Sequence, residues 1–266
     1  MARPVITRML SRFIALPLLL ASVVPGAAAP TPPPKVYRVD GRPVPASCLE
    51  PLATGDGDAR GRPIDLRSCG IAKRKPHVEN DGSIGYGLED GGYFYYSYLG
   101  RVGGVDILSL ASSGGGSGRF TQLIGIRRDG RFLRRVRDYG GGDRCNGGIA
   151  NATVTNGSLR FDQAITPYDL IALTNPKQPV EAYKDLEASA ASCVGLAHMV
   201  GDDSRWTGVT LDDEAGAHQG DWTEKYTYQP CFNRLLREMI ARRTELDRTA
   251  VFAFAKTFAR TCVVKP

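Results

Sequence analysis

From Tyr93 to Leu211 the apolar positions recur with a period of two in short runs, the pattern of strands whose side chains alternate between two faces. Tyr93–Leu99 is dense in aromatics, which suit a pleated surface, and Val105–Leu110 follows Gly103-Gly104. Phe120–Ile126 and Phe132–Val136 flank Asp129-Gly130, and Ala150–Thr155 and Ser158–Ile165 flank Asn156-Gly157. Both dipeptides favour positive φ and so predict two-residue hairpin turns. Pairing across Asp129-Gly130 sets Arg128 opposite Arg131, Arg127 opposite Phe132 and Ile124 opposite Arg135. Ser112–Gly118 reads as a connector without strand potential. Val194, Leu196, His198 and Val200 alternate towards a strand ending at Gly201, and a further strand is expected over Trp206–Leu211.

The period changes near the C-terminus. Phe232, Leu235, Leu236, Met239 and Ile240 fall on one helix face, and Val251, Phe254, Ala255, Phe258 and Ala259 on another. Thr244 and Asp247 are spaced as an N-cap and its N3 acid, so the second helix is expected to start there. Upstream, Thr166, Pro167 and Asp169 predict a short helix through Leu173, ended by Asn175-Pro176.

The elements together predict an α+β fold: an antiparallel β-meander sheet over 84–211, with a C-terminal disulfide-linked helical hairpin over 212–266 packed on it. Residues 30–83, rich in Gly, Pro and Asp, read as a Pro/Gly-rich leader and loops with short strands such as Val36–Val39.

Residues 1–29 read as a signal peptide. Arg3, Arg8 and Arg12 precede the apolar run Phe13–Val24, and Ala27-Ala28-Ala29 offers a small-residue cleavage point. As a helix that run reaches only about 18 Å, short of the roughly 30 Å hydrocarbon layer. The expected product is secreted or periplasmic, with no transmembrane segment in the mature chain. This changes the charge argument. The full chain carries 34 basic and 28 acidic residues, net +6, but three of those arginines belong to the leader, which leaves net +3 and no case for nucleic acid.

Six cysteines in an exported chain predict disulfides rather than thiol chemistry. One continuous helix would hold Cys231 and Cys262 more than about 40 Å apart. A hairpin turning near Leu246 brings them together, closing a loop worth roughly 3–4 kcal/mol. For the remaining four, neighbour order along the chain suggests Cys48–Cys69 and Cys145–Cys193. No CxxC pair or zinc-ligand spacing occurs, so no metal is expected.

Motifs for common chemistries are missing: the sequence has no GxSxG, HExxH, GxxxxGK or GxGxxG, and no cofactor is expected. Asp56-Gly57-Asp58-Ala59-Arg60 starts like a calcium loop, but Arg60 stands where a ligand is needed. His198 with Asp202 or Asp203, His218 with Asp221, and the acids Asp212-Asp213-Glu214 are the candidates for hydrolytic chemistry. Gly140–Gly148 reads as a wide loop stapled through Cys145, or as a backbone nest for an anion beside Arg144.

Binding candidates are better defined. Arg127, Arg128, Arg131, Arg134, Arg135 and Arg137 crowd one predicted hairpin against Asp129 and Asp138. Guanidinium forks match phosphate and carboxylate groups, although the register puts charge on both faces, as in a solvated hairpin. Tyr93 and Tyr95, with Tyr96 and Tyr98, offer a platform for sugar rings or a packed aromatic strand. Asn151-Ala152-Thr153 and Asn156-Gly157-Ser158 match the glycosylation acceptor pattern. The sequence thus points first to a non-catalytic binding protein of the envelope or exterior. Its expected partner is an anionic or glycan-type ligand, a lipid headgroup, or a protein. A secreted hydrolase is the alternative, and a structural spacer the third reading.

Overall fold

A computed structural model describes residues 36–53, 62–69, 77–174, 180–201, 203–213, 215 and 225–263. The expected signal peptide, the calcium-like loop, Asn175-Pro176, Asp202, Glu214, His218 and Asp221 lie outside the described residues.

The α+β class holds, but the strands are divided between two larger antiparallel sheets rather than one. The first contains β3 (Ile64–Asp65), β4 (His77–Val78), β5 (Ile84–Gly87), β6 (Gly92–Val102), β7 (Val105–Gly114), β8 (Phe120–Asp129) and β9 (Phe132–Asp143). Its order is β3-β9-β8-β7-β6-β5-β4, a meander whose four long strands are consecutive neighbours. Alternation puts Phe94, Tyr96, Leu108, Leu110, Ile124, Ile126 and Leu133 in one core.

The N-terminal segment covers that core with a small hairpin, β1 (Arg38–Val39) and β2 (Arg42–Pro43), and a helix, α1 (Ala46–Ala53). Tyr37, Val44, Leu49 and Leu52 are its buried anchors. Polar ties fasten it. Tyr37 donates to buried Asp106 at 3.2 Å, and Arg101 holds the same carboxylate at 2.8 and 3.0 Å. Burial, followed by the Asp106 charge, pushes the Tyr37 hydroxyl pKa well up. Tyr96 donates to the Val44 carbonyl at 2.7 Å, and Arg135 to the Leu52 carbonyl at 3.0 Å. The helix was not legible as one, because its eight residues include Pro51 and sit in loop-like sequence.

The second sheet is β10 (Ile149–Thr155), β11 (Ser158–Ile165), β12 (Gly195–Val200), β13 (Arg205–Leu211) and β14 (Glu245–Asp247), paired in chain order. One face, with Leu159, Phe161, Ala197, Met199, Val209, Leu211 and Leu246, packs against α2 (Pro167–Ala172), α3 (Gln229–Ile240) and α4 (Arg248–Thr261). Val102, Val105, Ile107, Leu123 and Tyr139 from the first sheet join the same core. The Thr166–Asp169 capping box opens α2 with Pro167 in its first turn, as expected.

All three suggested disulfides are present: Cys48–Cys69, Cys145–Cys193 and Cys231–Cys262, the last linking the ends of α3 and α4.

Several local expectations are corrected. The Gly140–Gly148 loop is partly strand: β9 runs through Asp143, and only the remainder turns into the second sheet. A Cβ on Gly141 would lie 2.5 Å from the Thr121 carbonyl oxygen and one on Gly142 1.9 Å from that of Asn146, so close backbone approach explains these glycines without an anion. Likewise β7 continues through Ser112–Gly114, since pairing with Phe120 and Gly92 overrides weak propensity. At the arginine hairpin the turn is Gly130-Arg131, with Asp129 opposite Phe132, Arg127 opposite Arg134 and Ile126 opposite Arg135. Gly130 alone takes positive φ there, +56°, as a type II′ turn requires. From Ile126 to Asp129 each partner moves by two residues, so those side chains keep their expected face, whereas a bulge beyond Ile126 sets Ile124 opposite Asp138 instead of Arg135. Finally, Leu246 lies in β14 rather than in a bare turn, and α4 is capped by Asp247, whose side chain accepts from the Ala250 amide at 2.8 Å.

Candidate functional site

Where the tip of the β8–β9 hairpin meets the N-terminal cover, a cleft of about 470 Å³ opens. Arg42 enters it from β2, Arg67 from the segment before Cys69, and Arg128 and Arg131 from the hairpin tip. Val39, Pro43, Val44, Pro45 and Leu66 supply apolar wall. Convergent cationic groups over an apolar floor are what a small-ligand cleft needs.

Two carboxylates already answer two of these guanidiniums. Asp40 takes both arms of the Arg128 fork, at 2.7 and 2.9 Å. The Arg128 hydrogen bond holds the Asp40 carboxyl below the usual carboxylate range, and the Arg42 charge adds to the effect. Asp65 sits 3.3 Å from Arg131. Among the described residues no carboxylate forms an ion pair with Arg42 or Arg67, so the cleft keeps a positive surplus.

The expected arginine group therefore divides. Arg128 and Arg131 line the cleft. Arg127 and Arg134 oppose one another on the other face of the hairpin, with Arg134 3.7 Å from Asp129. Arg135 is structural: its side chain is 5% exposed, and it binds the Leu52 carbonyl and Asp138. Turning the Gln122 amide to satisfy both its ends adds contacts to Ala53 and Arg135, at 3.2 and 2.9 Å. Arg42 and Arg67 were not singled out in the sequence. A signal for them existed: Arg42 precedes Cys48 and Arg67 stands just before Cys69, so bonding those cysteines draws both towards one place.

The tyrosines also divide by strand alternation. Tyr96 is buried in the core, and Tyr98 donates to Asp106 at 3.2 Å. Tyr93 and Tyr95 turn to the opposite face and line a second cleft at the far end of the same strands.

His198 does meet an acid, though not one of those expected. Its Nδ1 lies 2.7 Å from Asp162 Oδ1, directly across β11 and β12, and its Nε2 lies 2.8 Å from Thr210 Oγ1. Asp203 instead pairs with Arg205 at 3.0 Å. The chain continues at both ends: Asn151 donates to Asp162 at 2.8 Å, and Thr210 donates to Glu245 at 2.8 Å. A polar row thus crosses all five strands of the second sheet. It has the acid–histidine–hydroxyl order of a nucleophilic triad. The proton of Thr210, however, is aimed at Glu245, which removes the arrangement in which the ring accepts it. Neither cleft adjoins this row. Among the described residues, Asp212 and Asp213 included, no group of three or more His, Cys, Asp or Glu could hold a metal ion.

Compared with protein-family models, curated proteins and solved structures, the chain matches none of them. Among the described residues no helix is long and apolar enough to cross a membrane. Three disulfides accord with an extracellular or periplasmic location.

Proposed function

We propose that this is an exported binding protein, secreted or periplasmic after cleavage near Ala29, that captures an anionic ligand in the arginine cleft. One observation carries the reading: Arg42, Arg67, Arg128 and Arg131 converge from three chain segments on one cleft with apolar walls. The ligand class is an oxyanion-bearing molecule, a carboxylate, phosphate or sulfate, since those groups fit the guanidinium fork. Disulfide bracing supports a preformed site, because Cys69 itself lines the cleft.

The test is titration of the mature protein with polygalacturonate oligomers and with phosphatidylglycerol vesicles, which separates an anionic glycan from a lipid headgroup. Arg42→Ser/Arg67→Ser should weaken binding about tenfold or more and flatten its salt dependence. Arg127→Ser/Arg134→Ser, on the other face, should leave it nearly unchanged. Binding that ignores both salt and the cleft variants would sink the proposal.

A hydrolase is the second reading because Asp162, His198 and Thr210 stand in triad order, and it requires the Thr210 hydroxyl to turn from Glu245 to the His198 ring. It requires that Thr210→Val abolish turnover of a chromogenic ester by the folded protein. Absence of turnover in the parent protein removes this reading and leaves the binding proposal standing.

A further inference from the structure

The face of the first sheet that carries Tyr93 and Tyr95 is used by neither the anion site nor the core beneath the N-terminal cover. A cleft of about 450 Å³ lies there, bounded by the Glu79–Ser83 turn and floored by Tyr93, Tyr95, Ser97, Ser109 and Ala111. Both tyrosines are half-buried, and their ring centroids stand 5.5 Å apart with planes inclined at 38°. Their position has a local cause. Gly85 pairs with Tyr95, and a Cβ on Gly85 would lie 2.3 Å from the Tyr95 ring, so the ring takes space that any other residue would fill. Ser97 pairs with Ser109 and Tyr95 with Ala111, and neither neighbour is large enough to cover the rings.

We infer that this cleft is a sugar subsite that receives uncharged pyranose rings on Tyr93 and Tyr95. A pyranose presents an apolar C–H face and a rim of hydroxyls, and the cleft presents the complement of both. The tyrosine rings supply a broad apolar surface. Around them stand the Asn80 amide, the Ser97 and Ser109 hydroxyls, and the carboxylates of Glu79 and Asp81. Each carboxylate accepts several hydrogen bonds and donates none, which suits sugar hydroxyls. Burial first, and then the nearby Glu79 carboxylate, raise the Tyr95 pKa, and Asp81 accepts from the Ser83 amide at 2.9 Å. Asp81 is therefore held in place on the rim.

Charge decides the subclass. Among the described residues no lysine or arginine lines this cleft, while two acids do, so the described lining disfavours uronates and sulfated sugars, the reverse of the arginine cleft. Ser113, Tyr93 and Gly87 pair at one end of the strands, and Val102, Val105 and the arginine tip lie at the other, so the two clefts are separate. The volume falls within the roughly 300–1,000 Å³ of small-ligand clefts.

The test uses the full chain after leader removal, with its disulfides intact. Cellohexaose, maltohexaose and hexa-N-acetylchitohexaose are titrated separately while the amide resonances of Tyr93, Tyr95, Ser97 and Ser109 are followed. At least one should shift them with a dissociation constant near or below about 1 mM. Tyr93→Ala should weaken that binding about tenfold or more. Tyr95→Phe, which keeps the ring but loses the hydroxyl beside Glu79, should give a smaller loss. Arg42→Ser/Arg67→Ser should leave it unchanged, which keeps this site distinct from the anion site. If none of the three neutral sugars shifts these amides, or if Tyr93→Ala binds as tightly as the parent, the inference fails. It fails equally if glucosamine hexamer alone binds, which would make this a cation site, or if only a protein partner protects these amides.

Discussion

Asp40 closes on the guanidinium of Arg128 through two hydrogen bonds, at 2.7 and 2.9 Å, so the arginine cleft already contains a carboxylate of its own chain. Asp40 stands at positive φ, 49°, in the turn of the β1–β2 hairpin, with Gly41 beside it. An incoming anion must displace that carboxylate. Asp40→Asn should therefore raise the affinity for sulfate several-fold at low salt, measured by calorimetry. Unchanged affinity would mean that Arg128 takes no part.

The same pair sets a pH dependence. The Arg128 bond depresses the folded pKa of Asp40, so whatever it adds to stability is present above the unfolded value and is lost as pH falls through the folded one. Below that point Arg128 is released. Methanesulfonate, whose charge is constant there, should bind more tightly as pH falls through the Asp40 transition, and Asp40→Asn should abolish that rise.

Arg135 and Arg127 are both arginines of one hairpin, yet they should respond differently to removal. Arg135→Ala strips a buried side chain from the Leu52 carbonyl and Asp138, which should cost about 2–4 kcal/mol. Arg127→Ala, exposed, should stay within about 0.5 kcal/mol. Urea unfolding of both variants decides this, and equal midpoints would contradict the assignment of Arg135 as structural.

Cys231–Cys262 joins two helices that also share the Phe232, Phe254 and Phe258 edge-to-face cluster. Replacing both cysteines by serine should lower stability by about 2–4 kcal/mol while the helices remain, because the aromatic contacts persist. Far-ultraviolet dichroism with denaturant titration measures both quantities at once.

Thr210 links His198 to Glu245 and thereby the centre of the second sheet to its last strand. Thr210→Val should cost about 1 kcal/mol. It should also speed hydrogen exchange at Leu246, whose partner is Val209. Anion binding should be untouched.

Much of the architecture was legible because its causes are local. Alternation placed the long strands, Asn156-Gly157 placed one hairpin, Thr166 and Asp169 placed a helix start, the helical-hairpin geometry gave Cys231–Cys262, and cysteine order gave the other two bonds. The misreadings share a different origin, in pairings between distant parts of the chain. Nothing near His198 announces Asp162, because the two meet only when β11 pairs with β12. The strand character of Gly140–Gly142 depends on the Thr121 and Gln122 backbone opposite. Arg42 and Arg67 lie in loop-like sequence, and they share a cleft only once the cover is folded onto the hairpin tip. Half of the arginine site, Arg128 and Arg131, was visible, and half was not.

Cys48–Cys69 ties α1 to the stretch that carries Arg67. Its consequence is one of timing. While those thiols stay reduced, only the intervening chain joins Arg67 to the wall holding Arg42, with no cross-link to hold the two together. On the proposed reading, the cleft would be completed only where sulfur can be joined to sulfur, which fits capture outside a reducing compartment.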